Sequence, residues 1–173
     1  MSGRPLQGRG AVVTGGGRGI GAITGRALAE AGAAVLLAAR TEAEVEATAA
    51  ALRDAGHEAH ATVCDVADEA SVAELATTAA ERLPAVDVLV TSAGIALAAA
   101  ISRTTVEDWD RIFAVNARGA FLATRAFLPA MMERGWGRVV HVSSVAGLTG
   151  ARYIGAYAAS KHAVVGLTRA AAA

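Results

Sequence analysis

Apolar positions follow two rhythms along the chain. Ala11-Val12-Val13 is a short apolar run before a glycine cluster and predicts a first strand. Arg18 to Ala31 has helical periodicity, and Gly32 is placed to stop it. Ala33 to Ala39 is apolar throughout, as expected of a strand buried on both faces. Thr41 to Ala55 predicts a helix, with Thr41 and Glu44 spaced as a capping box and Gly56 as a stop. His57 to Val63 predicts a strand, Asp68 to Leu83 a helix, and Val86 to Thr91 another strand. Thr105 to Arg134 predicts one long helical stretch, kinked or divided at Pro129. Arg138 to Ser143 predicts a fifth strand and Ala156 to Ala170 a last helix.

Strand and helix alternate, so the expected class is α/β: a doubly wound, Rossmann-like parallel sheet with helices on both faces. Right-handed crossovers give the strand order 3-2-1-4-5. The whole chain, 1–173, is expected to form a single dinucleotide-binding domain. Ligands bind such sheets beyond the carboxyl ends of the strands. The places to search are therefore those after Val13, Ala39, Val63, Val90 and Val142.

Composition narrows the function. The 173 residues carry 16 basic and 16 acidic side chains, and this balance argues against bulk nucleic-acid binding. The longest uncharged run, Val88 to Ser102, is 15 residues, shorter than the roughly 20 a membrane helix needs. No apolar signal region follows Met1, so the expected location is the cytoplasm. The single cysteine, Cys64, excludes an intrachain disulfide framework. There are 45 alanines, so much of the apolar content is small and suits close helix packing. There are 15 arginines and one lysine, Lys161, which directs attention to the chemistry an ammonium alone supplies.

The first strand leads into Thr14-Gly15-Gly16-Gly17-Arg18-Gly19-Ile20-Gly21 and then a helix. Glycines let the backbone approach a ligand, and a helix N-terminus suits a pyrophosphate. The same turn would serve an ordinary strand-to-helix connection. The second strand ends in Ala38-Ala39-Arg40, without the carboxylate that usually binds a ribose 2′-OH. Arg40, with Arg18 beside it, either faces a 2′-phosphate or is a surface arginine. Asp65, before Val66, is placed either to accept from an adenine amino group or to shape a turn. Thr91-Ser92-Ala93-Gly94 is a small-residue turn that a cofactor could pass closely.

Beyond the fifth strand lie Ser143 and Ser144, then Tyr157-Ala158-Ala159-Ser160-Lys161. Tyr157 and Lys161 share one helix face. An ammonium beside a phenol favours the phenolate, which suits Tyr157 to general acid–base work. Tyr153 has no such lysine and is assigned to loop packing. His57, His60, His141 and His162 lack metal spacing, and no metal is expected. Trp109 and Trp136 are read as anchors for the long helix. Glu42, Glu44, Glu46, Asp68 and Glu69 are read as solvated helix faces.

Taken together, these motifs resemble the short-chain dehydrogenase/reductase family from Gly10 to Arg169, with a likeness to 3-oxoacyl reductases. The resemblance rests on the glycine turn, Asp65, Asn116, Ser144, and the pair Tyr157 and Lys161. It implies a catalytic set of Asn116, Ser144, Tyr157 and Lys161. In it Tyr157 is the acid/base, Ser144 holds the substrate oxygen, and Lys161 binds the nicotinamide ribose. Asn116 positions a water that links Lys161 to solvent. The implied cofactor contacts are Gly15, Gly17, Arg18, Gly19, Ile20, Gly21, Arg40, Asp65, Val66, Ala93, Gly94, Tyr157 and Lys161.

The chain departs from the family at Thr91, where asparagine is usual. It also ends at Ala173, where family members continue through further strands and a substrate loop. The domain is therefore expected to be incomplete at its C-terminus, with its fifth strand an open edge. The expected reaction moves hydride between NADP(H) and a ketone or secondary alcohol, including 3-oxoacyl thioesters and polyketide-like ketones. The alternatives are an NAD-dependent alcohol or hydroxysteroid dehydrogenase and a non-catalytic nucleotide-binding module. Small residues interspersed with Phe121, Leu122, Phe127, Leu128 and Leu167 offer more apolar surface than one sheet face needs, and the resemblance implies pairing through these helices into a homodimer or homotetramer.

Overall fold

The computed structural model describes residues Gly3–Ala173. The strands are β1 (Gly10–Thr14), β2 (Ala34–Ala39), β3 (Ala59–Val63), β4 (Val88–Thr91) and β5 (Arg138–His141). The helices are α1 (Gly19–Glu30), α2 (Glu42–Asp54), α3 (Glu69–Arg82), α4 (Val106–Phe113), α5 (Gly119–Glu133) and α6 (Gly155–Ala171). All five strands are parallel, in the order β3-β2-β1-β4-β5.

The apolar strand runs are explained by burial on both faces. Val12, Leu36, Ala38 and Leu89 point to one side and pack with Leu75 of α3 and Leu122 and Phe127 of α5. Ala11, Val13, Val35, Leu37, Val88 and Val90 point to the other and pack with Ala29 of α1 and Val45, Ala49 and Leu52 of α2. Alternate side chains of one strand thus enter two different cores, so no polar face interrupts the run. Leu36 and Leu37 are fully buried. Truncating either to alanine is expected to cost about 2–5 kcal/mol.

The long helical stretch is divided, but not at Pro129. α5 runs through Pro129, which lies on its exposed side. There the carbonyl that proline leaves unpaired has access to water. The division falls at Ala114–Arg118, a π-helical turn between α4 and α5 in which Gly119 N donates to Ala114 O. Two N-termini also differ from expectation. Thr41 makes no side-chain cap on α2, and Glu44 turns toward Arg18 instead. Asp68, expected on a solvated face, caps α3 by accepting from Ala70 N and Ser71 N.

β4 begins at Val88 because Asp87 serves another purpose. Its buried carboxylate accepts from Gly10 N and pairs with Arg9, holding β4 to β1. Trp136 is not a long-helix anchor: its ring lies against the guanidiniums of Arg9 and Arg138, at 4.0 and 4.9 Å. Trp109 does stay within the helix, stacked on Phe113. Tyr153 is exposed rather than packed, with φ of 65°, and its carbonyl accepts from Ala99 N.

Candidate active site

The carboxyl ends of β1 to β4 open onto a cleft of about 290 Å³. Its walls include Gly15, Gly17, Arg18, Ile20, Arg40, Asp65, Val66, Ala93 and Gly94. Gly19, Gly21, Tyr157 and Lys161, also expected as contacts, are not on the wall. Gly19 shapes the turn with φ of 56°. Gly21 lets α1 close on the turn, because a Cβ there would lie 2.1 Å from Gly15 O. Gly15 has φ of 71°, and a side chain on it would strike Ala93 N at 2.6 Å. Glycine at Gly15 therefore serves both the turn and the close approach of the β1 and β4 loops.

Among the described residues, neither α1 nor α2 has a side-chain cap, whereas α3 and α4 do. Arg18 precedes α1, whose first turn contains no acid. Uncapped N–H groups and a positive helix end suit an anion. Asp65 is committed in part: its Oδ1 accepts from Ala67 N, and its own N–H donates to Ser71 Oγ.

Beside the cleft, behind Gly94, lies a cluster of buried side chains. Asn116 sits in the π-helical turn and is 2% exposed. Its Oδ1 accepts from Ile95 N at 2.8 Å, while its Nδ2 donates to Ile95 O at 2.9 Å and Ser160 Oγ at 3.0 Å. Ser160 Oγ in turn donates to Tyr157 O at 2.7 Å. One amide thus ties the loop after β4 to the helix carrying Tyr157 and Lys161. Both of its N–H donors are taken by protein groups.

Lys161 is 5% exposed, and its Nζ donates to Val142 O at 2.8 Å. No carboxylate pairs with it among the described residues. Burial without a counter-charge pushes its pKa below the ordinary lysine value. The ammonium lies 5.8 Å from the centre of the Tyr157 ring. A Cβ on Gly94 would be 3.6 Å from Nζ and 3.4 Å from Asn116 Oδ1, so the cleft wall and this cluster meet at Gly94. Ser143 Oγ donates to Lys161 O. Ser144 Oγ accepts from Ala146 N, which leaves its own proton free to be donated.

A second buried cluster escaped the sequence reading. Thr91 and His141 are register partners on β4 and β5, and Thr91 Oγ1 lies 2.7 Å from His141 Nδ1. Thr124 Oγ1 gives its proton to Ala120 O, so it receives the Nε2–H of His141 at 3.4 Å. Nδ1 is then left to accept from Thr91. This assigns a neutral imidazole, and burial pushes its pKa down. The sequence signal was the polar residue closing each strand, but only the register pairs them. Cys64, Thr41, Glu44 and Val115 also line the cleft and were missed as contacts, and Ser92 and Ile95 of the loop after β4 line it as well.

A family model described as short chain dehydrogenase matches residues 9–173. The chain belongs to this family. It is 44% identical over 163 residues to a cis-4-hydroxycyclohexanecarboxylate dehydrogenase of Sinomonas cyclohexanicum, covering 94% of this chain and 65% of the relative. Among solved structures it is similar to an actinorhodin polyketide ketoreductase with NADPH: 38% identity, TM-score 0.91, 94% of this chain and 63% of that one. It is also similar to a gluconate 5-dehydrogenase from Burkholderia cenocepacia in complex with NADP and tartrate. That match has 38% identity and TM-score 0.91, over 97% of this chain and 66% of that one. The chain spans less than two thirds of the length of the curated relatives it matches.

Proposed function

We propose that the protein transfers hydride between NADP(H) and a ketone or secondary alcohol. One observation carries this reading: a buried, unpaired ammonium stands one helical turn from Tyr157, at the end of a cleft shaped for a dinucleotide. A nucleotide-binding module has no use for a charge buried at that position.

The residues present fit the cofactor. Gly15 and the uncapped start of α1 suit its pyrophosphate, and Arg18 and Arg40 its 2′-phosphate. Asp65 and Val66 flank the place for adenine, with Ala93 and Gly94 on the path to Lys161. The NADPH and NADP in the two similar structures support the same choice. When bound, the cofactor supplies or accepts the hydride. The rest is carried by side chains of this chain. Ser144 donates a hydrogen bond from its free hydroxyl to the substrate oxygen, and Tyr157 transfers its phenolic proton to that oxygen as the carbonyl is reduced. Lys161 stabilises the tyrosinate that remains and would hold the nicotinamide ribose. Asn116 fixes the geometry of the pair through Ser160 and Ile95.

Leu97 and Ile101 in the segment after β4, and Val145 and Leu148 in the segment after β5, are all exposed. This favours a ketone with an apolar portion, of the 3-oxoacyl or polyketide-like kind, and the polyketide ketoreductase neighbour supports it. The test is oxidation of NADPH by the intact protein across a panel of such ketones. Turnover with at least one class is expected, and none across the panel would defeat the reading.

We also propose a cytoplasmic homodimer or homotetramer. Among the described residues no helix is long and apolar enough to cross a membrane. Val106, Trp109 and Phe121 on the α4 and α5 faces are 70%, 41% and 45% exposed and want a partner. A monomeric mass by light scattering at micromolar concentration would count against it.

A further inference from the structure

Arg18 and Arg40 are not the whole electrostatic environment at the ribose end of the cleft. Glu44, in the first turn of α2, lines the same wall, and its Oε2 lies 3.7 Å from Arg18 Nε. The carboxylate is held there by its backbone. The Thr48 hydroxyl lies 2.9 Å from Gly17 O and 3.1 Å from Glu44 O, joining the glycine turn to α2. Gly17 has no side chain to intervene, since a Cβ on it would come 3.1 Å from Glu44 Cβ.

We propose that Glu44 is a specificity-determining residue that weakens the preference for a 2′-phosphate over a 2′-hydroxyl. The inference rests on the dinucleotide reading of the cleft. A 2′-phosphate carries nearly two negative charges near neutral pH. It must draw Arg18 away from Glu44 and then sit beside a like charge. A 2′-hydroxyl meets neither cost and finds in Glu44 an acceptor. Arg18 and Arg40 thus attract the phosphate while Glu44 limits the gain, so one cleft can serve both cofactors to a degree set by this carboxylate.

The test is calorimetric titration of the intact protein with adenosine 2′,5′-bisphosphate and with adenosine 5′-monophosphate, which differ only in the 2′-phosphate. Glu44→Gln keeps the side-chain length and removes the charge. Arg18 is exposed and Glu44 partly so, and the ratio of the two affinities is expected to rise roughly two- to fivefold toward the bisphosphate. The rise should shrink in high salt. Glu46→Gln removes the same charge from the same helix, but Glu46 faces Arg53 instead, and it should leave the ratio unchanged. An unchanged or lowered ratio in Glu44→Gln, or an equal rise in Glu46→Gln, would overturn the inference while leaving the cleft as a dinucleotide site. Failure of both ligands to bind the wild type would overturn the cleft reading and this inference with it.

Discussion

The two ends of the proposed site are built on opposite plans. The end proposed for the ribose uses exposed charge and bare backbone: Arg18 and Arg40 stand in solvent, and Gly15 and Gly17 form part of the wall. The catalytic end uses buried side chains: Asn116, Ser160 and Lys161 are 2%, 0% and 5% exposed and are joined by hydrogen bonds. Exposed charge is screened and adjustable, so the ribose end should tolerate substitution and change its preference. Buried polar groups that lose a partner suffer the full desolvation penalty. The catalytic end should therefore respond to substitution by losing rate or stability.

The largest effect is expected at Tyr157. Tyr157→Phe keeps the ring and removes the proton, so kcat should fall by roughly 10²–10⁴-fold. The Kd for NADPH, read by nucleotide fluorescence, should hardly change. A large loss of NADPH affinity would show that the two ends are not separable.

Next in size is cofactor choice. A charge-assisted hydrogen bond nets about 1.5–3 kcal/mol, or roughly ten- to a hundredfold in affinity. Ala39→Asp with Arg40→Ala should move the NADPH-to-NADH ratio of kcat/KM toward NADH by about that much. The melting temperature should stay near that of the wild type, because Arg40 is exposed and Ala39 lies at the strand end.

Asn116→Leu should act in the other sense. It leaves Ile95 N–H and C=O unpartnered and removes the donor to Ser160. A loss of about 1–3 kcal/mol of unfolding free energy is expected from denaturant titration. Unchanged stability would mean that the buried network is not what holds the catalytic end.

These regions also differ in how far sequence reveals them. The sheet order was legible because each strand is an apolar run bounded by turn residues, and glycine ends the first two helices. The glycine turn, Arg18, Arg40 and Gly94 were legible for a related reason: main-chain shape and charge are local properties. The break at Ala114–Arg118 was not, since that segment contains neither glycine nor proline and the helical pattern continues through it. Its cause is tertiary, the bonds from Asn116 to Ile95 and Ser160. Thr91 and His141 are 50 residues apart and meet only through strand register. Glu44 matched a local capping rule, but Arg18, brought near by the fold, drew it away.

The smallest expected effect lies at His141. Its native pKa is below the ordinary value near 6.5, because burial disfavours the charged ring. The unfolded chain therefore binds more protons in that window, and stability falls as pH drops through 6.5 toward the native pKa. Below the native value this contribution levels off. His141→Asn should flatten that part of the stability profile between about pH 7 and 5. An acid slope identical to that of the wild type would remove His141 as its source.

The central claim is that exposed arginines select NADPH for chemistry performed by Tyr157 beside a buried lysine. It is tested most directly by kcat/KM for NADPH and NADH, measured on the intact wild-type protein with one ketone it turns over. The account predicts a preference for NADPH of roughly tenfold or more. A preference for NADH would contradict it and place Arg40 among the solvated surface charges.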